Sequence, residues 1–411
     1  MKKAFLCIVI MAIALGLIFA EGTMETASWN IICDGKLLTA SDNAWETDEG
    51  QVMVALEELK PEMIDAYAFN FDGWQITIIA DGFGITSMIT SSVMERDGFS
   101  ANFTQPPVIK DNVLWFPIES LAALMNYKVE KDSASKTLLL TKPETAASKE
   151  QEEEIKIKRM TSVKNNCVYP RPDIAYFEDI LIPGPHGFIP ARLYDPKPDD
   201  NSIQALYINI HGGGYTVGSI ASSDHVCRDI ANRSGQKVLS IEYGMLPEHP
   251  FPDGWEDAYA ALEWAYNNSS DLGIDPDRIF VGGDSAGGTI ANGIAMMARD
   301  RGDFTVTGQI LAYPVIDLTA SWAQFVFDDA VDAMNPYATA LNANLKGMPK
   351  TMLLVAENDG LRPQGEAYAA ALEQAGVQID FSVVEGTNHG FLAVHEESRE
   401  KIAQFIRTTR K

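Results

Sequence analysis

The sequence predicts an α/β fold, a doubly wound and mostly parallel sheet, preceded by a smaller duplicated α+β domain. Three observations carry that expectation. From Tyr176 onward, short apolar runs (Leu206–Ile210, Val238–Ile241, Met352–Val355) alternate with amphipathic stretches (Asp257–Tyr266, Gly365–Ala375). Buried parallel strands and their crossover helices alternate in this way. Two glycine-rich turns each follow an apolar run directly, at residues 211–214 and 282–288. Residues from about 28 to 142 differ: they are acidic, lack histidine and nearly repeat themselves.

At 411 residues the chain suits two or three domains. Apolar residues at 46% and charged residues at 22% place it among globular proteins rather than disordered ones. A net charge of −25 argues against nucleic acid and anionic membrane surfaces as partners. Met1-Lys2-Lys3 followed by the apolar run Ala4 to Ala20 reads as a secretory signal over residues 1–22. The expectation is a secreted or cell-surface protein, with an uncleaved anchor as the alternative, because the run approaches spanning length.

Beyond the signal, Cys33, Cys167 and Cys227 are too few and too far apart for a disulfide framework. Three buried thiols are expected, one pair being the alternative. All six histidines lie beyond residue 180, and no Cys/His cluster has zinc-ligand spacing. Neither a metal nor a cofactor is expected.

Within residues 23–142, Val54-Ala55-Leu56-Glu57-Glu58-Leu59 matches Phe116-Pro117-Ile118-Glu119-Ser120-Leu121 at an offset of 62. Ile76-Thr77-Ile78-Ile79 falls on Leu138-Leu139-Leu140-Thr141 at the same offset. Each unit reads strand, short helix, turn, strand, and a duplicated unit lets each half bury the apolar face of the other. This block resembles the copper amine oxidase N-terminal-like domain of secreted bacterial proteins, although the Arg of the usual strand pattern is missing. The resemblance implies a stalk or adhesion module without copper, with carbohydrate or cell-wall binding as an open alternative. Residues 143–160 read as a linker passing into a charged helix, and residues 161–411 form the second domain.

Gly282-Gly283-Asp284-Ser285-Ala286-Gly287-Gly288 stands between the apolar run Arg278–Val281 and the helix-compatible run Thr289–Met297. Strand, sharp turn and helix form the context in which G-x-S-x-G acts as a nucleophile elbow. The turn lifts the Ser285 hydroxyl above the sheet, and Gly283 and Gly287 leave room for it because a Cβ at either would collide. Upstream, His211-Gly212-Gly213-Gly214-Tyr215 follows a strand. Consecutive glycines let backbone N–H groups approach a substrate oxygen, and no Walker lysine or G-x-G-x-x-G follows to suggest a phosphate loop.

Further landmarks are Tyr243-Gly244-Met245-Leu246-Pro247-Glu248-His249-Pro250, Glu357-Asn358-Asp359-Gly360, and Asn388-His389-Gly390-Phe391. In this order the set resembles the hormone-sensitive-lipase-like family of α/β-hydrolases, over roughly residues 175–411. The resemblance implies Ser285 as nucleophile, His389 as general base and Asp359 as its orienting acid. It also implies an oxyanion hole from the N–H groups of Gly213, Gly214 and Ala286. His211, Gly212, Gly283, Asp284 and Gly287 would shape the two motifs. The chain departs from the family at Gly244, where an arginine is usual, and at Pro363, where an aspartate often stands.

The implied activity is that of a serine carboxylesterase on a small or short-chain acyl ester, with no cofactor. An acetylesterase for polysaccharide decorations is the second reading. A non-catalytic small-molecule-binding relative is the third, and the presence of His389 argues against it. Only residues 315–334 separate Tyr313-Pro314 from Asn335-Pro336-Tyr337. That span is shorter than the family's cap insertion, which implies a shallow acyl pocket. Oligomeric state is not legible.

Overall fold

A computed structural model describes residues 29–39, 43–60, 62–70, 75–80, 83–88, 91–96, 99–103, 105–110, 113–125, 127–142, 149–166, 169–319, 326 and 332–410. The signal expected at residues 1–22, Cys167 and most of the span 315–334 lie outside them. The chain divides into two compact units near Pro143. Residues 149–160, expected to begin as linker, are helical and fall in the second unit.

The first unit is β-rich. Its strands are β1 (Asn30–Cys33), β2 (Lys36–Thr39), β3 (Ala44–Glu46), β4 (Val52–Ala55), β5 (Ala66–Asn70), β6 (Gln75–Ala80) and β7 (Phe83–Met88). They continue with β8 (Val93–Arg96), β9 (Phe99–Asn102), β10 (Val108–Lys110) and β11 (Val113–Pro117), then helix α1 (Ile118–Leu124), β12 (Lys128–Asp132) and β13 (Thr137–Thr141). The offset of 62 is visible in the register. In the β5/β6 hairpin Ala66 faces Ile79, and in β12/β13 Lys128 faces Thr141. Equivalent residues Val54 and Phe116, both fully buried, face each other where β4 and β11 run antiparallel. That pairing puts a local two-fold axis through the repeat.

The repeats are interlaced rather than side by side. The β12/β13 hairpin of the second joins the β1/β2 hairpin of the first through a parallel β1·β13 pair. The β5/β6 hairpin of the first reaches β8 and β9 of the second through β7. Alternation along β6 buries Ile76, Ile78 and Ala80 on one face.

The second unit begins with helix α2 (Lys149–Asn166) and continues as an eight-stranded sheet. Its strands are β14 (Tyr176–Gly184), β15 (Gly187–Asp195), β16 (Gln204–Ile210), β17 (Lys237–Ile241), β18 (Ile274–Asp284), β19 (Gly308–Ala312), β20 (Lys350–Asn358) and β21 (Ile379–Asn388). Between them run helices α3 (Ile220–Ser234), α4 (Asp253–Asn267), α5 (Ala286–Arg301) and α6 (Arg362–Gln374), with α7 (Glu396–Thr408) last.

Strand order is β14-β15-β17-β16-β18-β19-β20-β21, antiparallel at β14, β15 and β17 and parallel from β17 onward. The predicted strands and helices of this unit are all present. β16 is buried along its whole length, as the uninterrupted apolar run Leu206–Ile210 requires of a central parallel strand. The chain steps outward from β16 to β17 and then returns past it to β18. That reversal makes the carboxyl ends of β16 and β18 the topological switch point, where open α/β sheets place their ligands. Both glycine-rich motifs sit there. Cys33 and Cys227 are buried, and no disulfide joins the two.

Candidate active site

Ser285 occupies the turn between β18 and α5 with φ 50° and ψ −121°, a conformation that ordinary side chains rarely adopt. Its N–H donates to the Ala312 carbonyl at 2.9 Å, which ties the strained residue to β19. A Cβ on Gly287 would lie 2.0 Å from the Ile210 carbonyl oxygen, and one on Gly283 would lie 2.2 Å from the same atom. The neighbouring strand therefore enforces the glycines expected on both sides of the serine.

β21 ends at Asn388 and delivers His389, while the turn after β20 delivers Asp359. The Ser285 hydroxyl donates to His389 Nε2 at 2.9 Å, and His389 Nδ1–H donates to Asp359 Oδ2 at 2.7 Å. The other Asp359 oxygen accepts the Leu361 N–H at 2.9 Å, which fixes the carboxylate plane. Three residues separated by 104 and 30 positions thus form one hydrogen-bonded line. The Tyr313 ring meets the His389 imidazole edge-on at 4.8 Å and limits its swing.

The glycine loop lies over Asp284. The Gly212 N–H donates to Asp284 Oδ1 at 3.0 Å. Desolvation raises the Asp284 pKa above the ordinary carboxylate value, against this hydrogen bond, which lowers it. Gly213 has φ 131°, and a Cβ there would sit 1.9 Å from the Val217 carbonyl oxygen, so only glycine fits. Among the described residues no acceptor takes the N–H groups of Gly213, Gly214 or Ala286. Ala286 opens α5, where N–H groups have no partner within the helix. His211 is buried, donates from Nδ1 to the Gly212 carbonyl at 2.8 Å and stacks on Tyr243 at 4.6 Å. It braces the loop from below.

Sequence reasoning missed Arg159. This residue of α2 is 3% exposed and forms a two-pronged pair with Glu248, at 2.9 and 2.7 Å. It also donates to the Thr216 carbonyl at 3.0 Å and the Leu246 carbonyl at 2.8 Å. One guanidinium therefore joins the glycine loop to the Leu246–Glu248 segment, a task for which a lysine lacks the planar fork. The only sequence signal was a lone arginine in a charge-rich helix. Arg159→Ala is expected to cost about 1–3 kcal/mol of stability, because the partly buried Glu248 carboxylate and two carbonyls lose their donor. It should also lower kcat by about tenfold or more, because a displaced oxyanion donor is itself costly. Thermal unfolding and steady-state kinetics check this together, and a lower Tm with unchanged kcat would reduce Arg159 to a structural tie.

Among the described residues, no group of three His, Cys, Asp or Glu side chains is placed to hold a metal ion.

Residues 207–393 match a family model described as the alpha/beta hydrolase fold. The chain is 38% identical over 241 residues to carboxylic ester hydrolase LipN of Mycobacterium tuberculosis, covering 52% of this chain and 64% of LipN, just under two thirds of that relative. It is 32% identical over 244 residues to ethyl acetate hydrolase of Pseudomonas putida, covering 53% of this chain and 77% of that one. Among solved structures it resembles a hyperthermophilic esterase from the archaeon Pyrobaculum calidifontis, with a TM-score of 0.59 and 37% identity. That likeness covers 62% of this chain and 93% of the other.

Proposed function

The chain belongs to the α/β-hydrolase family, and on that premise we propose that it is a serine carboxylesterase for small or short-chain acyl esters. The observation that carries the reading is the unbroken line from Asp359 through His389 to Ser285. A serine hydroxyl is a poor nucleophile at neutral pH. His389 takes its proton as Ser285 Oγ bonds to the ester carbonyl carbon, and the carbonyl π electrons move onto oxygen. The N–H groups of Gly213, Gly214 and Ala286 hold that oxyanion. Collapse expels the alkoxide, which takes the proton from His389. Water then attacks the acyl-enzyme by the same route and frees the acid. Asp359 keeps Nδ1 protonated, so that Nε2 faces the serine as a base.

The short-chain preference rests on the brief span between Tyr313-Pro314 and Asn335-Pro336-Tyr337, and one relative carries the name ethyl acetate hydrolase. With p-nitrophenol as the common leaving group, kcat/KM is expected to peak at acetyl or butyryl. A maximum at eight carbons or longer would sink the short-chain reading.

The proposal extends to the N-terminal unit. Its interlaced repeat and the order of its motifs support a copper amine oxidase N-terminal-like stalk, and carbohydrate or cell wall is the contact proposed for it. Met1-Lys2-Lys3 and the apolar run after it support export. A carbohydrate partner would make acetylated polysaccharide the natural ester.

A further inference from the structure

The side chain of His389 is 43% exposed, so little packing fixes the general base from its own surroundings. Its backbone is fixed on one side by the sheet, where Asn388 pairs with Asn358. On the other side stands Gly390, at φ 84° and with nothing within 4 Å of where a Cβ would lie. A left-handed glycine in open space is a joint. The direction in which the chain leaves His389 therefore depends on what grips the next segment, the single 3₁₀ turn Phe391–Ala393. So short a turn cannot satisfy its last carbonyls from within.

Arg399 grips it. This residue of α7 is 8% exposed, and its Nη1 donates to the Leu392 carbonyl at 2.7 Å and the Ala393 carbonyl at 3.1 Å. Its Nε donates to Asp229 Oδ2 of α3 at 2.5 Å, so the turn is tied to a second helix. His225, also of α3, adds an Nε2 bond to the Ala393 carbonyl at 3.2 Å. Phe391 carries the constraint back toward the site. Its buried ring meets Tyr313 edge-on at 4.8 Å, and Tyr313 is the ring that faces His389.

We propose that Arg399 is a positioning residue for the general base, holding the turn after Gly390 so that His389 Nε2 meets the Ser285 hydroxyl. The inference rests on the esterase reading above. The test measures hydrolysis of p-nitrophenyl acetate by the full chain, well below the Tm of each variant. Arg399→Met keeps the apolar stem and removes both grips. It should lower kcat by about 10–100-fold, the scale of a small misplacement of a reacting group. KM should change by less than about threefold, because the lost alignment matters only in the transition state. Arg399→Lys keeps the charge against Asp229 without the planar fork, and its kcat should fall between the two. Arg407→Met is the control. Arg407 ties the far end of α7 to the Arg233 carbonyl of α3 and to Glu400, away from the turn. Its loss should lower Tm and leave kcat within about twofold. An unchanged kcat in Arg399→Met, a fall confined to KM, or an equal fall in Arg407→Met overturns the positioning role and leaves the esterase reading standing. Should Arg399→Met not fold, Arg399→Lys decides: kcat lowered by about threefold or more supports the role, and wild-type kcat overturns it. A wild type that does not hydrolyse the ester overturns the esterase reading itself.

Discussion

Ser285→Ala is expected to lower kcat by about 10⁴–10⁶-fold, the range for losing the nucleophile of a triad. Among the described residues the Ser285 hydroxyl hydrogen-bonds to His389 Nε2, while the backbone N–H holds the turn against Ala312. An alanine keeps the backbone bond and the Cβ already accommodated at φ 50°. Folding should therefore survive as the chemistry is lost. A pure, folded variant that still hydrolyses a p-nitrophenyl ester at more than about a hundredth of the wild-type rate would remove serine catalysis from consideration.

Asp359→Asn is expected to cost about 10⁴ in kcat. The Asp359 carboxylate is 6% exposed and accepts from His389 Nδ1 at 2.7 Å. An asparagine amide can donate to Nδ1 instead, which moves the ring proton to Nε2 and leaves the serine without a base. Glu357 is the internal control. It lies two residues earlier at the end of the same strand, but its carboxylate accepts the Gly386 N–H at 2.7 Å and braces the approach to the histidine turn. Glu357→Gln should change kcat by less than about tenfold, since an amide oxygen still accepts that bond. If the two results were reversed, the acid would have to be reassigned.

How much of this was legible depended on how local the physics is. The elbow was readable because its glycines are dictated by a carbonyl that any parallel neighbour presents, and the turn carries its own signature. Asp359 and His389 were readable only through the order of motifs, since nothing in Glu357-Asn358-Asp359 marks which carboxylate turns toward the site. Arg159 was hidden because its partners stand 57, 87 and 89 residues away and its own helix reads as solvated charge. In the N-terminal unit the offset of 62 was plain, but the exchange of hairpins was not. Strand faces are set by alternation, whereas the choice of neighbour depends on contacts that alternation does not record.

The parallel β1·β13 pair has a mechanical consequence. The chain enters the first unit at the start of β1 and leaves it at the far end of β13, with Asn30 opposite Thr137 and Cys33 opposite Leu140. Tension applied along the chain on either side of the unit pulls these two strands past each other along their own axes. The hydrogen bonds between them then bear the load together and must break together. A hairpin peeled from its open end gives way one bond at a time. Interlacing the repeats therefore sets such a load in shear along the whole β1·β13 ladder, where a side-by-side pair of hairpins would be peeled.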